Sequence, residues 1–149
     1  MFQVDWINWA DAFDQLEIRL NNGSNPDFNN ALGQNIYDIV PLRWKDQFVY
    51  RLGVEFQATD AVALRVGYTY GNSPVPDSTL TPLTAAIMEH KLSAGAGWKN
   101  ERYFVDVAYQ YSLPSSQNVG TSALQAGEYS NSRTEVSVHM VGVTFGMSF

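Results

Sequence analysis

The 149-residue chain contains no cysteine, which excludes disulfide bonds, thiolate metal sites and a cysteine nucleophile. It also has no run of about 18 apolar residues, the length that a transmembrane helix requires. Its nine basic residues are scattered and outnumbered by fifteen acidic ones, so the basic patch that nucleic acid binding needs is missing. The two histidines fit no metal-ligand spacing. We therefore expect no nucleic acid partner, no metal and no cofactor.

What the chain does have is a high content of apolar and aromatic residues. It is 45% hydrophobic and 13% aromatic, with only 16% charged residues, which argues against disorder. No basic and apolar leader follows Met1, so an exported form of this protein would be a mature chain or a fragment.

Apolar and polar residues alternate along most of the chain, as they do in half-buried β-strands. The clearest stretch is Leu42–Gln57, where Leu42, Trp44 and Phe48 begin an apolar face and Arg43, Lys45 and Arg51 share the other. The same pattern predicts strands at 61–70, 90–98, 103–111 and 135–149. A first segment, Phe2–Leu20, breaks the alternation in its middle, which indicates either a bend or two shorter strands.

The predicted connections alternate between short and long. Links of a few polar residues lie at 57–60 and 99–102, whereas links of roughly twenty residues lie at 21–41, 71–89 and 112–133. Loops this long are unusual in compact soluble domains, while outer-membrane barrels alternate short periplasmic turns with long external loops. This pattern favours an antiparallel transmembrane β-barrel.

Two further features favour a barrel over a soluble sheet with a buried apolar face. The strands approach ten residues, the length of a tilted membrane span. Several also end in aromatic residues, which form girdles at both bilayer interfaces. The aromatic residues concerned are Trp44, Tyr68, Tyr70, Trp98, Tyr109 and Tyr111. Six strands are too few to close a barrel alone, so we expect part of a larger one.

The last strand resembles the signal by which the barrel assembly machinery recognises outer-membrane proteins. Phe145, Met147 and the terminal Phe149 carry the alternating apolar residues of that signal, although Thr144 stands where a glycine is frequent. This resemblance implies the assembly machinery and outer-membrane lipid as partners.

The order of an aromatic-rich segment "DWINWADAFDQLEIRL", a double strand "WKDQFVYRLGVEFQATDAVALRVGYTY" and a loop "GNSPVPDSTLTP" resembles the FadL family. That family comprises long-chain fatty acid transporters and aromatic hydrocarbon channels of the bacterial outer membrane. The resemblance implies a fourteen-stranded barrel with an N-terminal hatch that passes hydrophobic molecules without energy input. Residues 1–149 would then be the six C-terminal strands, without the hatch and the earlier strands.

A fatty acid needs an apolar path and a cation for its carboxylate. We expect Lys45 and Arg51 to be carboxylate contacts, with Arg43 and Arg65 as further candidates and Phe104 as an apolar contact. The alternative is that these charges pair with acidic residues such as Glu55 and Asp106 on neighbouring strands.

Two other functions stay open at this stage. One is a soluble β-sandwich or lipocalin-like protein that binds a hydrophobic ligand, and the other is a barrel that acts as an adhesin or phage receptor. We expect no enzyme, because neither His90 nor His139 has an identifiable serine and orienting group.

Overall fold

The computed structural model describes residues 1–147 and shows an all-β protein. Its strands are β1 (Phe2–Ile7), β2 (Gln15–Leu20), β3 (Ile36–Pro41), β4 (Gln47–Gln57), β5 (Val62–Gly71), β6 (His90–Lys99), β7 (Tyr103–Asn118) and β8 (Arg133–Met147). Two short helices, α1 (Trp9–Ala12) and α2 (Pro26–Leu32), and three turns of 3₁₀ helix lie between them. None of the helices in this part of the chain is long and apolar enough to cross a membrane.

Six strands form one antiparallel sheet in the order β1-β4-β5-β6-β7-β8. Within residues 1–147, β1 and β8 each pair on one side only, so the sheet is open. This confirms the predicted antiparallel sheet of six strands that does not close alone.

The predicted beginning of the strand that corresponds to β4 is wrong. Leu42–Gln57 was expected to be one strand, but β4 begins at Gln47. The backbone N–H groups of residues 42–45 donate instead to carbonyl oxygens of Phe13, Asp14 and Pro74, at 2.8–3.1 Å. Arg43 also has a φ of +50°, which no strand residue adopts. Residues 42–46 are therefore an irregular segment that leads into β4. It is hydrogen-bonded to the residues that follow α1 and to the loop that follows β5.

The segment before it departs from the predicted loop at 21–41. Asn25 caps α2 by accepting hydrogen bonds from the backbone N–H groups of Asp27 and Phe28, and Pro26 occupies the first turn. The following β3 pairs with β2 in a separate two-stranded hairpin. The first segment is thus two short strands joined by α1, one of the two arrangements that the sequence left open.

The long connections lie at one end of the six-stranded sheet and the short turns lie at the other. We call these the external end and the turn end, since long loops face outside in outer-membrane barrels. A small hydrophobic core at the external end joins the β5–β6 and β7–β8 loops through Val75, Leu80, Ile87 and Val119. Thr79, also fully buried, donates a hydrogen bond of 2.6 Å to the Leu42 carbonyl oxygen. The external loops are therefore packed against each other and against the irregular segment.

Candidate functional site

The two faces of the six-stranded sheet differ sharply in chemistry. The outward face carries large apolar side chains that stand exposed, including Val66 at 60%, Val143 at 67% and Phe145 at 67%. A soluble sandwich would bury these residues against a second sheet, so that alternative is wrong. The predicted aromatic positions Tyr68, Tyr70, Trp98, Tyr109 and Tyr111 share the parity of the exposed apolar residues. Trp44 does not, because it lies in the irregular segment.

The inward face carries the charges of the strands, and three of them form a network across three strands. Arg65 on β5 contacts Glu55 on β4 through Nε at 2.5 Å and Asp106 on β7 through Nη1 at 2.6 Å. Since β6 runs between β5 and β7, the Arg65 side chain must cross it. Gly97 makes this possible, because a Cβ there would lie 2.9 Å from Arg65 Nη1 and would overlap the Asp106 carboxylate. One guanidinium group thus faces two carboxylates, those of Glu55 and Asp106, and neutralises only part of their negative charge.

The predicted carboxylate contacts are not brought together. Arg51 lies on the inward face of β4 and pairs with Asp5 of β1. Arg65 is held by two carboxylates at the turn end of the same face. Arg43 and Lys45 were expected on the same strand face as Arg51, and this placement is wrong because both lie in the irregular segment before β4. For Arg51 and Arg65, pairing with acidic neighbours, the alternative left open above, is what the structure shows.

A cation that was not among the predicted contacts occupies the external part of the inward face. Lys91 on β6 makes no ion pair or side-chain hydrogen bond within residues 1–147. It lines a cavity of 320 Å³ together with the polar or charged residues Gln47, Arg51, Thr69, Glu89 and Gln110. Lys91 lies on the inward face because it alternates with the outward His90 and Leu92 on β6, and the ion pairs of Arg51 and Arg65 distinguish it from those two cations.

Phe104 lies on the inward parity, as predicted, and sits over a glycine of the neighbouring strand. Its ring occupies the space where a Cβ of Gly146 would be. It lines a second cavity of 320 Å³ at the turn end, which Arg65, Asp106 and Lys99 also line. Phe104 therefore lines the same cavity as one predicted cation, Arg65, but Arg65 is already paired with Glu55 and Asp106.

An apolar groove of 600 Å³ lies at the external end of the sheet, among the loops. Its lining includes Phe13, Leu16, Trp44, Leu83, Ala85 and Val136. Phe13 and Trp44 stack with ring centroids 4.7 Å apart, and Trp9 packs edge-on against both. Sequence periodicity could not reveal this groove, because its walls come from a helical turn, an irregular segment and a loop. We call it the external groove.

Comparison with known families agrees with this arrangement of apolar and polar faces. The family model described as outer membrane protein transport protein (OMPP1/FadL/TodX) matches residues 1–149. No curated protein matches the chain. Members of the matching family are outer-membrane β-barrels that transport hydrophobic compounds, which accounts for a sheet with an exposed apolar face. The chain therefore belongs to the OMPP1/FadL/TodX family of outer-membrane transport proteins.

Proposed function

We propose that this chain forms the C-terminal part of the wall of a channel through which hydrophobic compounds enter the cell without energy input. The outward face of the sheet contacts lipid, and the inward face lines the path. The external groove carries this proposal, because an apolar recess of 600 Å³ beside the loops suits a hydrophobic ligand of small-molecule size. The channel proteins act as transporters and not as enzymes.

Leu83 offers a direct test of the external groove. Its side chain is 93% exposed at the wall of the groove, so a polar replacement there has little effect on packing. We expect Leu83→Asp to reduce the uptake of both a radiolabelled long-chain fatty acid and an aromatic hydrocarbon by about three- to tenfold. The reason is that a carboxylate on this exposed wall brings a hydrated charge to the surface that an apolar ligand would contact.

The matched control is Leu32→Asp on α2, where Leu32 is 60% exposed and lies outside the lining of the groove. It should leave uptake unchanged. An uncoupler of the proton gradient should not change uptake by the unmodified protein if transport is passive. Equal losses from Leu83→Asp and Leu32→Asp, with the protein present at normal levels, would show that the groove plays no part.

Within this path, we propose Lys91 as the cation that holds the carboxylate of a fatty acid. Arg51 and Arg65 already pair with acidic residues, and a second anion would compete with those partners. Lys91 makes no ion pair in the described residues and lines a cavity with five other polar or charged side chains, among them Glu89, whose carboxylate accepts a hydrogen bond from the Ser73 backbone N–H. Arg51 lines the same cavity, so it adds positive charge beside Lys91 even while it pairs with Asp5.

A substitution of Lys91 tests whether this residue binds the carboxylate of a fatty acid. We expect Lys91→Gln to raise the fatty acid concentration that gives half-maximal uptake by about tenfold, since a hydrogen bond to a charged group contributes about 1.5–3 kcal/mol. Uptake of an aromatic hydrocarbon, which has no carboxylate, should not change. Lys91→Arg should restore fatty acid uptake, and Lys99→Gln, at the other end of β6, should not impair it. If both substrates lose uptake equally in Lys91→Gln, the residue has a structural role instead.

The last strand bears on assembly. Phe145 and Met147 lie on β8, with exposed side chains of outward parity, while Phe149 lies outside the described residues. We propose that these residues contribute to recognition by the barrel assembly machinery. The adhesin or phage-receptor function stays a prediction about the external loops.

A further inference from the structure

Two clusters of tyrosine and histidine repeat on the outward face, one on each hairpin that carries an external loop. In the first cluster, His90 lies directly opposite Tyr70 and its Nδ1 is 2.6 Å from the Tyr68 hydroxyl. In the second, His139 lies directly opposite Tyr111 and its Nδ1 is 2.6 Å from the hydroxyl of Tyr109. The same residue types, spacing and contacts thus occur twice.

The stacking of the rings repeats as well. The His90 ring lies 4.9 Å from the ring of Tyr70, and the His139 ring lies 4.5 Å from that of Tyr111. Each imidazole is therefore held by one tyrosine ring and one tyrosine hydroxyl. Because the same arrangement occurs on two separate hairpins, we infer that these tyrosine contacts fix the orientation of each imidazole.

The clusters lie where the apolar part of the outward face ends. Toward the turn end, β5 continues with Val66 and Leu64, and β8 continues with Val141 and Val143, all exposed. Toward the external end, β5 and β6 leave the sheet next to Tyr70 and His90, whereas β7 and β8 continue as a paired extension to Asn118 and Arg133. In an outer-membrane protein this level corresponds to the headgroups of the outer leaflet, where tyrosine rings are enriched. The clusters therefore face lipid headgroups rather than acyl chains or the channel.

The protonation of the imidazoles indicates that each can donate a hydrogen bond to an external acceptor. When a tyrosine hydroxyl donates to Nδ1, the imidazole proton lies on Nε2, and that N–H has no acceptor within residues 1–147. Both histidines are also the only basic side chains at the outward positions of five spans in this part of the chain. These spans are 48–56, 62–70, 90–98, 103–111 and 139–147.

We infer that the two tyrosine–histidine clusters are binding sites for the phosphate groups of outer-leaflet lipid, each through an imidazole Nε2–H. A phosphate oxygen is a strong acceptor at the depth where these donors lie. This inference rests on the membrane orientation of the sheet and not on which compound the channel carries.

The test measures lipid binding by the protein as its host produces it, purified in detergent and analysed by native mass spectrometry. The probes are diphosphorylated lipid A and the same lipid after removal of its phosphates. We expect the phosphorylated lipid to bind at least about tenfold more tightly, as expected for hydrogen bonds to a charged group. Inorganic phosphate should not compete, because it lacks the acyl chains that lie on the apolar surface below.

Variants locate the binding. His90→Phe and His139→Phe should each weaken binding, and the double variant should remove the preference for phosphorylated lipid. His90→Gln with His139→Gln should keep most of it, because the glutamine amide places an N–H near the position of Nε2. Trp98→Phe, at the turn end of the same face, is the matched control and should bind as the unmodified protein does. Uptake by all these variants should stay normal, which separates this inference from the proposed function.

Equal binding of both lipids, or a double phenylalanine variant that keeps the preference for phosphate, would overturn the inference and leave the clusters as aromatic anchors. A heat-dependent shift in gel mobility confirms that each variant is a folded barrel. If the phenylalanine variants do not fold, the glutamine pair and Tyr68→Phe with Tyr109→Phe provide the result. The tyrosine variants release both imidazoles and should also reduce the preference.

Discussion

Replacing Leu64 with arginine is expected to lower the free energy of unfolding in a bilayer by about 2–4 kcal/mol, the cost of a cationic side chain near the bilayer midplane on the lipid face of a barrel. Leu64 is exposed on the outward face of β5. It lies between the turn-end aromatic residue Trp98 and the external tyrosine–histidine clusters, within the apolar band. The measurement is reversible denaturation of the protein in lipid vesicles.

The size of this effect should depend on depth and on the face of the sheet. Val143 lies in the same cross-strand row as Leu64, on β8, and Val143→Arg should also be costly, while Tyr70→Arg at the external end should cost about 0–1 kcal/mol. Thr144→Arg is the matched control, since Thr144 follows Val143 on the inward face and lies opposite Asp106. It should cost little, because the guanidinium group gains a partner there. If Val143→Arg and Thr144→Arg cost the same, the assignment of the two faces is wrong.

The second large effect is expected in the external loops. Leu80 is fully buried in the core formed with Val75, Ile87 and Val119. Replacing such a leucine with alanine removes apolar contacts and leaves a cavity, at a cost of about 2–5 kcal/mol. Because this core joins two loops rather than the strands, we expect Leu80→Ala to open the loops locally while the sheet stays folded.

Limited proteolysis of the native protein measures that opening. The cleavage rate in the 72–89 loop follows the population of the open form, so the expected cost corresponds to an increase of at least about 30-fold. Leu83→Ala is the control, because Leu83 belongs to the same loop and is 93% exposed, and it should change cleavage little. Unchanged cleavage in Leu80→Ala would mean that hydrogen bonds alone hold the loops. Two of these bonds run from the Gln117 side-chain amide to the Val75 carbonyl oxygen and to the Asp77 carboxylate, each at 2.7 Å.

The strands of the main sheet could be predicted from the sequence because membrane spans alternate strictly between two environments. β5 and β6 begin and end within one residue of the predicted bounds. Alternation failed where the backbone hydrogen bonds of a segment do not go to a neighbouring strand. Residues 42–46 alternate in polarity like a strand, but their N–H groups bond to a helical turn and a loop. β7 also continues to Asn118, past a register shift between Ser112 and Ser115 that accommodates Pro114.

The candidate site was less predictable, because it depends on which charges meet across strands. Parity placed Arg51 and Arg65 on the inward face correctly. It could not show that Asp5 pairs with Arg51, because β1 and β4 are separated in sequence by α1 and the β2–β3 hairpin. Nor could it show that Arg65 reaches Asp106 across Gly97, since that contact skips a strand. Lys91 stood out only once these pairs were known.

The central claim is that the exposed apolar face of this sheet contacts lipid and that the opposite face contacts the aqueous path. Residues 1–149 contain no cysteine, so a single cysteine introduced at Leu92, Ser93 or Ala94 of β6 gives this part of the barrel one site for a spin label. In outer membranes, labels at 92 and 94 should be accessible to oxygen and shielded from a water-soluble nickel chelate, and the label at 93 should show the reverse. Greater nickel accessibility at 92 and 94 than at 93, or equal values at all three, would contradict the account.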